Sequence, residues 1–264
     1  MYLASSQERQ HTKFERQTAD GKTIWRTHYF GPSPSPQGSN SVHPDAINEL
    51  AYAPPAPGES REPQAFLVEQ SAGAIVHPHF HFVDQFQIVV DGHGKLGKHD
   101  VHPVSVHFAA RHTGYGPIMP AEQGLKYFTF RASADETGAQ YLPANRHKMV
   151  QLAKKYLLLD PISVSDVNTL TQSKGVSDQA VYTDLTGLKV NTVCAGPKQS
   201  VKIHPESISP GASVLVLAGT PRVAQKSLDK WSCAFVAAKD DALEFESDEA
   251  GFQLLVLQYP RATQ

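Results

Sequence analysis

The sequence predicts an all-β protein built from two copies of a small β-sandwich or β-barrel. Short runs of β-branched and aromatic residues, such as Phe86–Val90 and Lys126–Phe130, alternate with turns that contain Gly or Pro. These runs fill residues 66–131 and resume from residue 181 to the end. A chain of 264 residues is long enough for two domains of this size.

An internal repeat supports the duplication. A shift of 127 residues aligns Val76–Arg131 with Ile203–Gln258 without a gap, and nine of the 56 aligned positions are identical. Gly and Pro fall at matching turns, where backbone geometry selects them. The identical pairs are His77/His204, Pro78/Pro205, Val89/Val216, Gly92/Gly219, Ser105/Ser232, Phe108/Phe235, Ala110/Ala237, Glu122/Glu249 and Gly124/Gly251.

The segments outside the repeat have other signatures. Gly21–Tyr29 alternates like a strand, and the Pro-rich stretch over residues 31–64 is either a disordered linker or an arm that wraps another subunit. An apolar stripe over Ala144–Leu159 predicts a helix, which Asp160-Pro161 ends. The predicted segments are a strand and arm at 1–65, a first barrel at 66–131, a helical and polar connection at 132–180, and a second barrel at 181–264.

Composition excludes several classes of partner. The chain has 24 Lys and Arg against 26 Asp and Glu, so a net charge of -2 gives no reason to expect nucleic acid or an anionic membrane. Met1–Lys13 lacks an apolar signal segment, and runs such as Leu254–Leu257 are too short to span a bilayer. Cys194 and Cys233 have no metal-type spacing and are predicted to be buried, reduced thiols. We therefore expect a soluble, cytoplasmic protein.

Histidines are concentrated in the first barrel. Seven of the 13 lie between residues 77 and 107, and the densest stretch is Val76–Phe82. Because alternate residues of a strand face the same side, this stretch predicts two columns. One column holds His77, His79 and His81, and the other holds Val76, Phe80 and Phe82. Two imidazoles placed two residues apart can bind one transition-metal ion, whereas the alternative is the polar face of an edge strand.

This stretch resembles a known motif. Gly73-x5-His79-x-His81-x3-Gln85-x6-Gly92 is similar to the first motif of the cupin superfamily, with Gln85 in place of the usual Glu. The resemblance implies tandem double-stranded β-helix (cupin, or jelly-roll) barrels. It also implies that His79, His81 and the residue at position 85 bind a divalent metal inside the first barrel.

The second cupin motif is degenerate here, and the fourth ligand stays open. Tyr115 stands where the family has its last histidine, and His112 precedes it by three residues. We take His112 as the fourth ligand and Tyr115 as a catalytic phenol. Alternatively Tyr115 faces the metal itself, or water fills the position. A nearby cation would lower the pKa of the phenol and let it act as a base.

Gln85 guides the functional hypothesis. An amide is a weaker ligand for a hard cation than a carboxylate, and the site then resembles the all-histidine centres of thiol and gentisate dioxygenases. We expect a small-molecule oxygenase with Fe(II), while Zn, Ni or Mn are alternative metals. The competing hypotheses are a lyase or isomerase that uses Tyr115 as base, a non-catalytic small-molecule-binding cupin, and a site that has lost its metal.

The second barrel lacks the ligands. His79, His81, Gln85, His112 and Tyr115 align with Glu206, Ile208, Ala212, Lys239 and Ala242. This barrel is predicted to be a structural partner, and edge strands that need covering favour a homodimer. Arg111 and Arg131 are either anion contacts for a substrate carboxylate or surface residues. The remaining histidines of the first barrel, His93, His99, His102 and His107, are expected at its rim or surface.

Overall fold

The computed structural model describes residues 1–18, 20–32, 45–56, 59, 61–152 and 155–261, and most of its regular structure is antiparallel strand. The first ten strands are β1 (Tyr2–Ala4), β2 (Phe14–Gln17), β3 (Thr23–Phe30), β4 (Gln64–Gln70), β5 (His79–Phe80), β6 (Gln85–Leu96), β7 (His99–Val101), β8 (Val106–Ala109), β9 (Ile118–Arg131) and β10 (Gln140–Tyr141). The others are β11 (Tyr156–Leu159), β12 (Val176–Thr183), β13 (Lys189–Ala195), β14 (Ser200–Ile203), β15 (Gly211–Gly219), β16 (Arg222–Val223), β17 (Lys226–Ser227), β18 (Cys233–Ala237), β19 (Leu243–Glu246) and β20 (Phe252–Gln258). The helices are α1 (Ser6–Arg9), α2 (Val167–Gln172) and two 3-10 turns, Gln10–Thr12 and Arg146–Lys148.

The chain forms two compact units, each with one large and one small antiparallel sheet. The first unit, His11–Ile162, has the large sheet β11-β8-β6-β9-β4-β3-β2, with β7 paired to β6, and the small sheet β10-β5. The second unit combines Met1–Gln10 with Ser163–Gln264 and has the sheets β1-β18-β15-β20-β13-β12 and β14-β19-β16-β17. The predicted all-β class with two barrels is confirmed.

The 127-residue repeat is visible in the backbone. In the first unit the pairing of β6 with β9 shifts register between Val89 and Asp91, and in the second unit β15 and β20 shift between Val216 and Ala218. Val104 and Trp231, which are also 127 residues apart, both adopt the left-handed conformation, with φ of 67° and 69°. Non-Gly residues rarely take this conformation. A shared irregularity at the same two places indicates duplication of one backbone design.

The outermost strand on one side of each large sheet comes from outside the repeat. In the first unit β11 pairs with β8, and in the second unit β1 pairs with β18. The first ten residues belong to the second unit, and the connection predicted at 132–180 is shared between the two units.

The helix predicted over Ala144–Leu159 is wrong. The structure has only the 3-10 turn there, followed by the strand β11, and residues 153–154 lie outside the described part. Val150 and Leu152 of the predicted stripe are 54% and 37% exposed. A short apolar run is compatible with either a strand or a helix, and here the open edge of β8 decides for a strand.

The Pro-rich stretch lies partly outside the described residues, which omit residues 33–44, 57–58 and 60. Its described piece, 45–56, packs on the first unit of its own chain. Asn48 is buried, and it donates from its backbone to Oδ1 of Asn145 (2.8 Å) and from its amide to the carbonyl of Thr137 (2.8 Å). Tyr52 stacks on Phe82 at 4.7 Å between ring centroids. This piece is thus an arm against its own barrel.

Two further sequence expectations concern cysteine and membrane spans. Cys233 is buried and Cys194 is partly buried, and both are free thiols. Among the helices of the described residues, none is long and apolar enough to cross a membrane.

Candidate metal centre

The interior of the first barrel contains a polar cavity. Its volume is about 60 Å³, measured as the space open to the centre of a water molecule. At about 10 to 15 Å³ for each water, this is room for roughly four to six waters or one small organic molecule. The polar and charged side chains that line it are Arg16, Gln17, Arg26, His79, His81, Gln85, Gln87, Tyr115, Tyr127, Thr129, Arg131, Glu136 and Tyr141.

His79 and His81 enter this cavity from β5 and the residue after it. Strand β5 pairs with β10, and the backbone of His79 also bridges to Tyr115. The two imidazoles are 3% and 7% exposed as residues, with ring centroids 5.2 Å apart and ring planes perpendicular. Alternation along an extended segment explains why both face the cavity while Phe80 between them does not. The pair predicted from sequence is brought together.

Each imidazole is held through its Nδ1 atom. Nδ1 of His79 donates to the carbonyl of His77 at 2.7 Å, and Nδ1 of His81 donates to Oδ2 of Asp135 at 3.0 Å. Asp135 is completely buried and also accepts the backbone N–H of Thr137 at 3.0 Å. A proton on Nδ1 leaves Nε2 as the basic nitrogen in both rings. Histidines that bind metals are oriented in this way by a carbonyl or a carboxylate.

Burial fixes the charge state of this group. It lowers the pKa of His79 well below the usual range, and His81 and Arg131 lower it further. Burial and the Arg131 charge lower the pKa of His81 to about 4, although Asp135 opposes them. Burial alone would raise the pKa of Asp135, but hydrogen bonds and charge from His81 and the charge of Arg131 hold it well below its usual value. At neutral pH the pair is therefore neutral imidazole beside an ionised carboxylate, the form that binds metal cations.

Gln85 is in the cavity but its polar atoms are engaged. Its Oε1 accepts from Nε and Nη2 of Arg131, at 3.2 and 3.0 Å, and its Nε2 donates to the phenolic oxygen of Tyr115. Arg131 also donates from Nη1 to Oε1 of Gln64 at 2.7 Å. Its Nη2 lies 3.1 Å from both ring nitrogens of His81, so this guanidinium rests against the imidazole. The predicted ligand Gln85 is thus bound to an arginine.

Tyr115 lies where the predicted catalytic phenol was expected. Its ring is 4.4 Å from the His79 ring and 4.8 Å from the His107 ring, measured between centroids. Burial raises the pKa of Tyr115 well above 10, despite the opposing charge of Arg131. The phenol of the metal-free protein therefore keeps its proton at neutral pH and can donate a hydrogen bond.

His112, the predicted fourth ligand, lies outside the lining of the cavity. Its backbone is left-handed (φ 58°), and its Nδ1 accepts the backbone N–H of Val150 at 3.2 Å. Its ring packs against Phe80 and Phe82, at 5.8 and 5.3 Å between centroids. These phenylalanines alternate with His79 and His81 and face the other side of the extended segment. The structure therefore separates His112 from the pair.

Two further expectations about this segment are wrong. His77 was predicted to face the same side as His79 and His81. Instead Val76 lines the cavity, and the side chain of His77 does not. His107 was expected at the rim but is 3% exposed, and its Nδ1 is 2.8 Å from Oε1 of Gln87. Its Nε2 is buried without a hydrogen-bond partner in the described part of the chain. By contrast, the histidines at positions 93, 99 and 102 are exposed as predicted.

The described residues contain no group of three or more His, Cys, Asp or Glu side chains placed to hold a metal ion. His79 fits a transition metal by donor type, charge state and orientation. His81 fits by donor type and charge state, but its Nε2 lies 3.1 Å from Nη2 of Arg131, which a metal ion bound there would have to displace. Gln85 does not fit in this arrangement, because its oxygen already accepts two hydrogen bonds. The protein therefore offers two imidazoles, and Tyr115 beside them is the remaining oxygen donor among the predicted site residues.

The second barrel shows what the same fold looks like without such a site. The inward positions occupied by Gln87, His107 and Tyr127 in the first barrel are Val214, Ala234 and Leu254 in the second, and these are at most 1% exposed. An apolar interior is the stable default, since buried polar groups cost free energy unless paired. The polar interior of the first barrel is thus a feature that stability does not require.

The buried histidines predict a pH-dependent stability of the metal-free protein. Burial lowers the pKa of His107 to about 3 and that of His81 to about 4, below the value near 6.5 of the unfolded chain. The unfolded state therefore binds protons first as the pH falls, and the folded state loses stability from about pH 6.5 down to about pH 4. We expect each of these histidines to lower the free energy of unfolding by about 2 kcal/mol between pH 7 and pH 5.

Urea unfolding at the two pH values, with chelator present, measures this loss. His107→Gln should reduce the difference by the share of one histidine, whereas His99→Gln, at an exposed position, should leave it unchanged. Equal pH dependence of the wild type and His107→Gln would contradict the assignment of a neutral, buried imidazole.

The comparisons with known proteins give structural matches only. No family model and no curated protein matches the chain. A protein from Nostoc punctiforme, provisionally described as a dioxygenase, matches with a TM-score of 0.62 and 11% identity over 99% of this chain and 83% of that chain. The Escherichia coli pirin YhhW in complex with nickel(II) matches with a TM-score of 0.54 and 11% identity over 99% of both chains. AerE from Microcystis aeruginosa matches with 0.52 and 10% identity over 98% and 99%.

Identities this low establish a common fold and leave activity open. The fold agrees with the resemblance of residues 73–92 to the first cupin motif, and with the two barrels described above. The chain therefore shares its fold with these three proteins.

Proposed function

We propose that the first barrel is the site of a metal-dependent enzyme that acts on a small organic molecule, with His79 and His81 as the protein's metal ligands. The observation that carries the proposal is the matched orientation of the two rings. Each donates from Nδ1 to a fixed acceptor, His77 or Asp135, and each lines the same cavity. This arrangement favours coordination through Nε2. The nickel(II) bound by the pirin of the same fold is compatible with it.

The metal supplies Lewis-acid or redox chemistry to a molecule bound beside it. We propose Fe(II) and an oxygenase reaction, since the ligands offered are imidazoles without a carboxylate. The chain contributes positioning. Asp135 holds His81, the protonated phenol of Tyr115 donates a hydrogen bond to the substrate, and the apolar walls of the barrel limit access of water. A lyase or isomerase with Tyr115 as base would require the bound metal to lower the pKa of that phenol, which burial raises in the metal-free protein.

A second candidate is favoured by a specific observation. Arg131 contacts both His81 and Gln85, and its positive charge opposes a divalent cation at this place. A barrel that binds a small molecule without metal therefore competes with the enzyme. The two candidates differ in whether the purified protein holds metal.

Elemental analysis decides between them. We expect stoichiometric metal in the wild type and none in His79→Ala/His81→Ala. The matched control is His93→Ala/His102→Ala, which removes an exposed pair with ring centroids 6.1 Å apart and should retain the metal. Absence of metal from the wild type, even after reconstitution with Fe(II), Zn(II), Ni(II) or Mn(II), would overturn the enzyme proposal in favour of metal-free binding. Oxygen consumption with candidate substrates then tests the oxygenase form.

A further inference from the structure

Three arginines line the same cavity as the histidine pair. Arg16 extends from β2, Arg26 from β3 and Arg131 from β9. Among the described residues that line the cavity, the only acidic side chain is Glu136, which is exposed. Three guanidinium groups carry a charge of about +3 at neutral pH. Among the described residues, these groups outnumber the two carboxylates at the cavity, the exposed Glu136 and the buried Asp135 that hydrogen-bonds to His81.

The arginines raise one another's electrostatic cost. Burial lowers the pKa of Arg26 to about 10, and the charges of Arg16 and Arg131 add to this effect. Tyr141 and Tyr127 oppose it, each by more than Arg131 adds, although burial raises the pKa of both phenols and keeps them neutral at neutral pH. An anion bound among these groups would relieve the repulsion between them.

Arg26 also has an unused donor. Its Nε is buried and has no hydrogen-bond partner within the described part of the chain. A buried donor without a partner costs about 1 to 3 kcal/mol, so natural proteins rarely leave one unless a ligand or water completes it. The guanidinium carbons of Arg26 and Arg131 lie 5.2 and 5.6 Å from the centroid of the Phe66 ring, so one aromatic ring supports both cations.

The shape and chemistry of the walls select the anion. Ile24, Phe66 and Val68 are apolar and line the cavity together with the arginines. A forked guanidinium binds a carboxylate through two parallel hydrogen bonds. The volume of about 60 Å³ is smaller than the roughly 150 Å³ of a cavity that encloses benzene, so it admits a carboxylate together with a small part of the organic body.

We propose that Arg26, with Arg16, forms the carboxylate-binding end of this cavity, and that the first barrel takes a small organic acid. The inference rests on the proposed function for the reacting end of the acid, beside His79 and His81. The carboxylate end is built from arginines, and binding there does not require a metal.

Calorimetric titration of the metal-free protein tests the proposal. Benzoate and butyrate are the probes, and benzamide is the neutral analogue of the first. We expect benzoate to bind at least about tenfold more tightly than benzamide, since a hydrogen bond to a charged group contributes about 1.5 to 3 kcal/mol. Arg26→Gln should remove this preference, and Arg26→Lys should restore part of it. Arg146→Gln, at an exposed position on the first unit, should change nothing.

Several results would overturn the proposal. These are equal affinity for benzoate and benzamide, no binding of either acid, tighter binding of inorganic phosphate, or unchanged benzoate affinity in Arg26→Gln. The proposal is also overturned if benzoate binds only after metal loading and Arg26→Gln does not change its affinity, because the carboxylate would then be bound by the metal. If Arg26→Gln fails to fold, Arg26→Lys and the benzoate–benzamide comparison on the wild type still decide.

Metal analysis of the same samples separates this inference from the proposed function. If benzoate binding depends on Arg26 and the protein never holds metal, the proposed metal-dependent enzyme is overturned and the carboxylate site is supported. Stoichiometric metal without any preference for the acid over the amide would support the metal-dependent enzyme and overturn the carboxylate site.

Discussion

Replacement of Asp135 by alanine is expected to lower the free energy of unfolding of the metal-free protein by about 3 to 5 kcal/mol, the usual cost of removing one partner from a buried charged network. The Asp135 carboxylate has no exposed surface and accepts hydrogen bonds from His81 and from the backbone of Thr137. Without it, the charge of Arg131 loses its nearest buried counter-charge. Urea unfolding at pH 7 measures the loss.

The isosteric variant Asp135→Asn separates stability from metal binding. An amide keeps the volume and one acceptor but no charge, so we expect a smaller loss of stability and a metal affinity lower by about 10- to 100-fold. Asp100→Asn, which removes an exposed partner of Lys95, should change the free energy of unfolding by less than about 1 kcal/mol. Wild-type stability in Asp135→Ala would show that the carboxylate does not support the histidine and arginine as described.

Gly92→Ala is expected to cost about 2 to 5 kcal/mol of stability, and its repeat partner Gly219→Ala a similar amount. Gly92 and Gly219 are left-handed, with φ of 72° and 77°, and a Cβ at either would lie 2.3 or 2.2 Å from a carbonyl oxygen of Gly124 or Gly251. The backbone contributes about 1 to 2 kcal/mol of the expected loss and the clash about 1 to 3 kcal/mol.

Gly73→Ala is the matched control for this prediction. Gly73 has a φ of 76°, but a Cβ there would meet only the Lys22 side chain, at 3.6 Å. It should lose the backbone share alone, which thermal or urea unfolding can resolve. Equal losses of stability at Gly73 and Gly92 would mean that the close approach of strands β6 and β9 at Gly92 and Gly124 is not the reason that glycine is needed at position 92.

The sequence predicted those features that depend on local pattern. Turn glycines separated by 127 residues predicted the two barrels, because each barrel makes the same Gly–Gly approach. Alternation in an extended segment predicted that His79 and His81 share a face. Both inferences need only neighbours in the chain or a copy of them.

The remaining parts of the site depend on residues that only the fold brings together. Asp135 is 54 residues from His81, and Arg26 and Arg131 meet the same cavity from strands far apart in sequence. Polar residues at alternate positions of β9, Tyr127, Thr129 and Arg131, were the available signal, but it is informative only once the inward face of that strand is known. His112 was predicted as the fourth ligand, but its backbone is left-handed, a conformation that the sequence pattern does not reveal.

The pairing of β1 with β18 has a practical consequence for dissecting this molecule. Tyr2–Ala4 pairs with Cys233–Phe235, so an edge strand of the second barrel comes from the first residues of the chain. A fragment that starts at Ser163 would contain nearly the whole second unit but would leave one edge of β18 unpaired. An exposed strand edge promotes aggregation. The two barrels are duplicates in sequence, but they are not separable by a single cut.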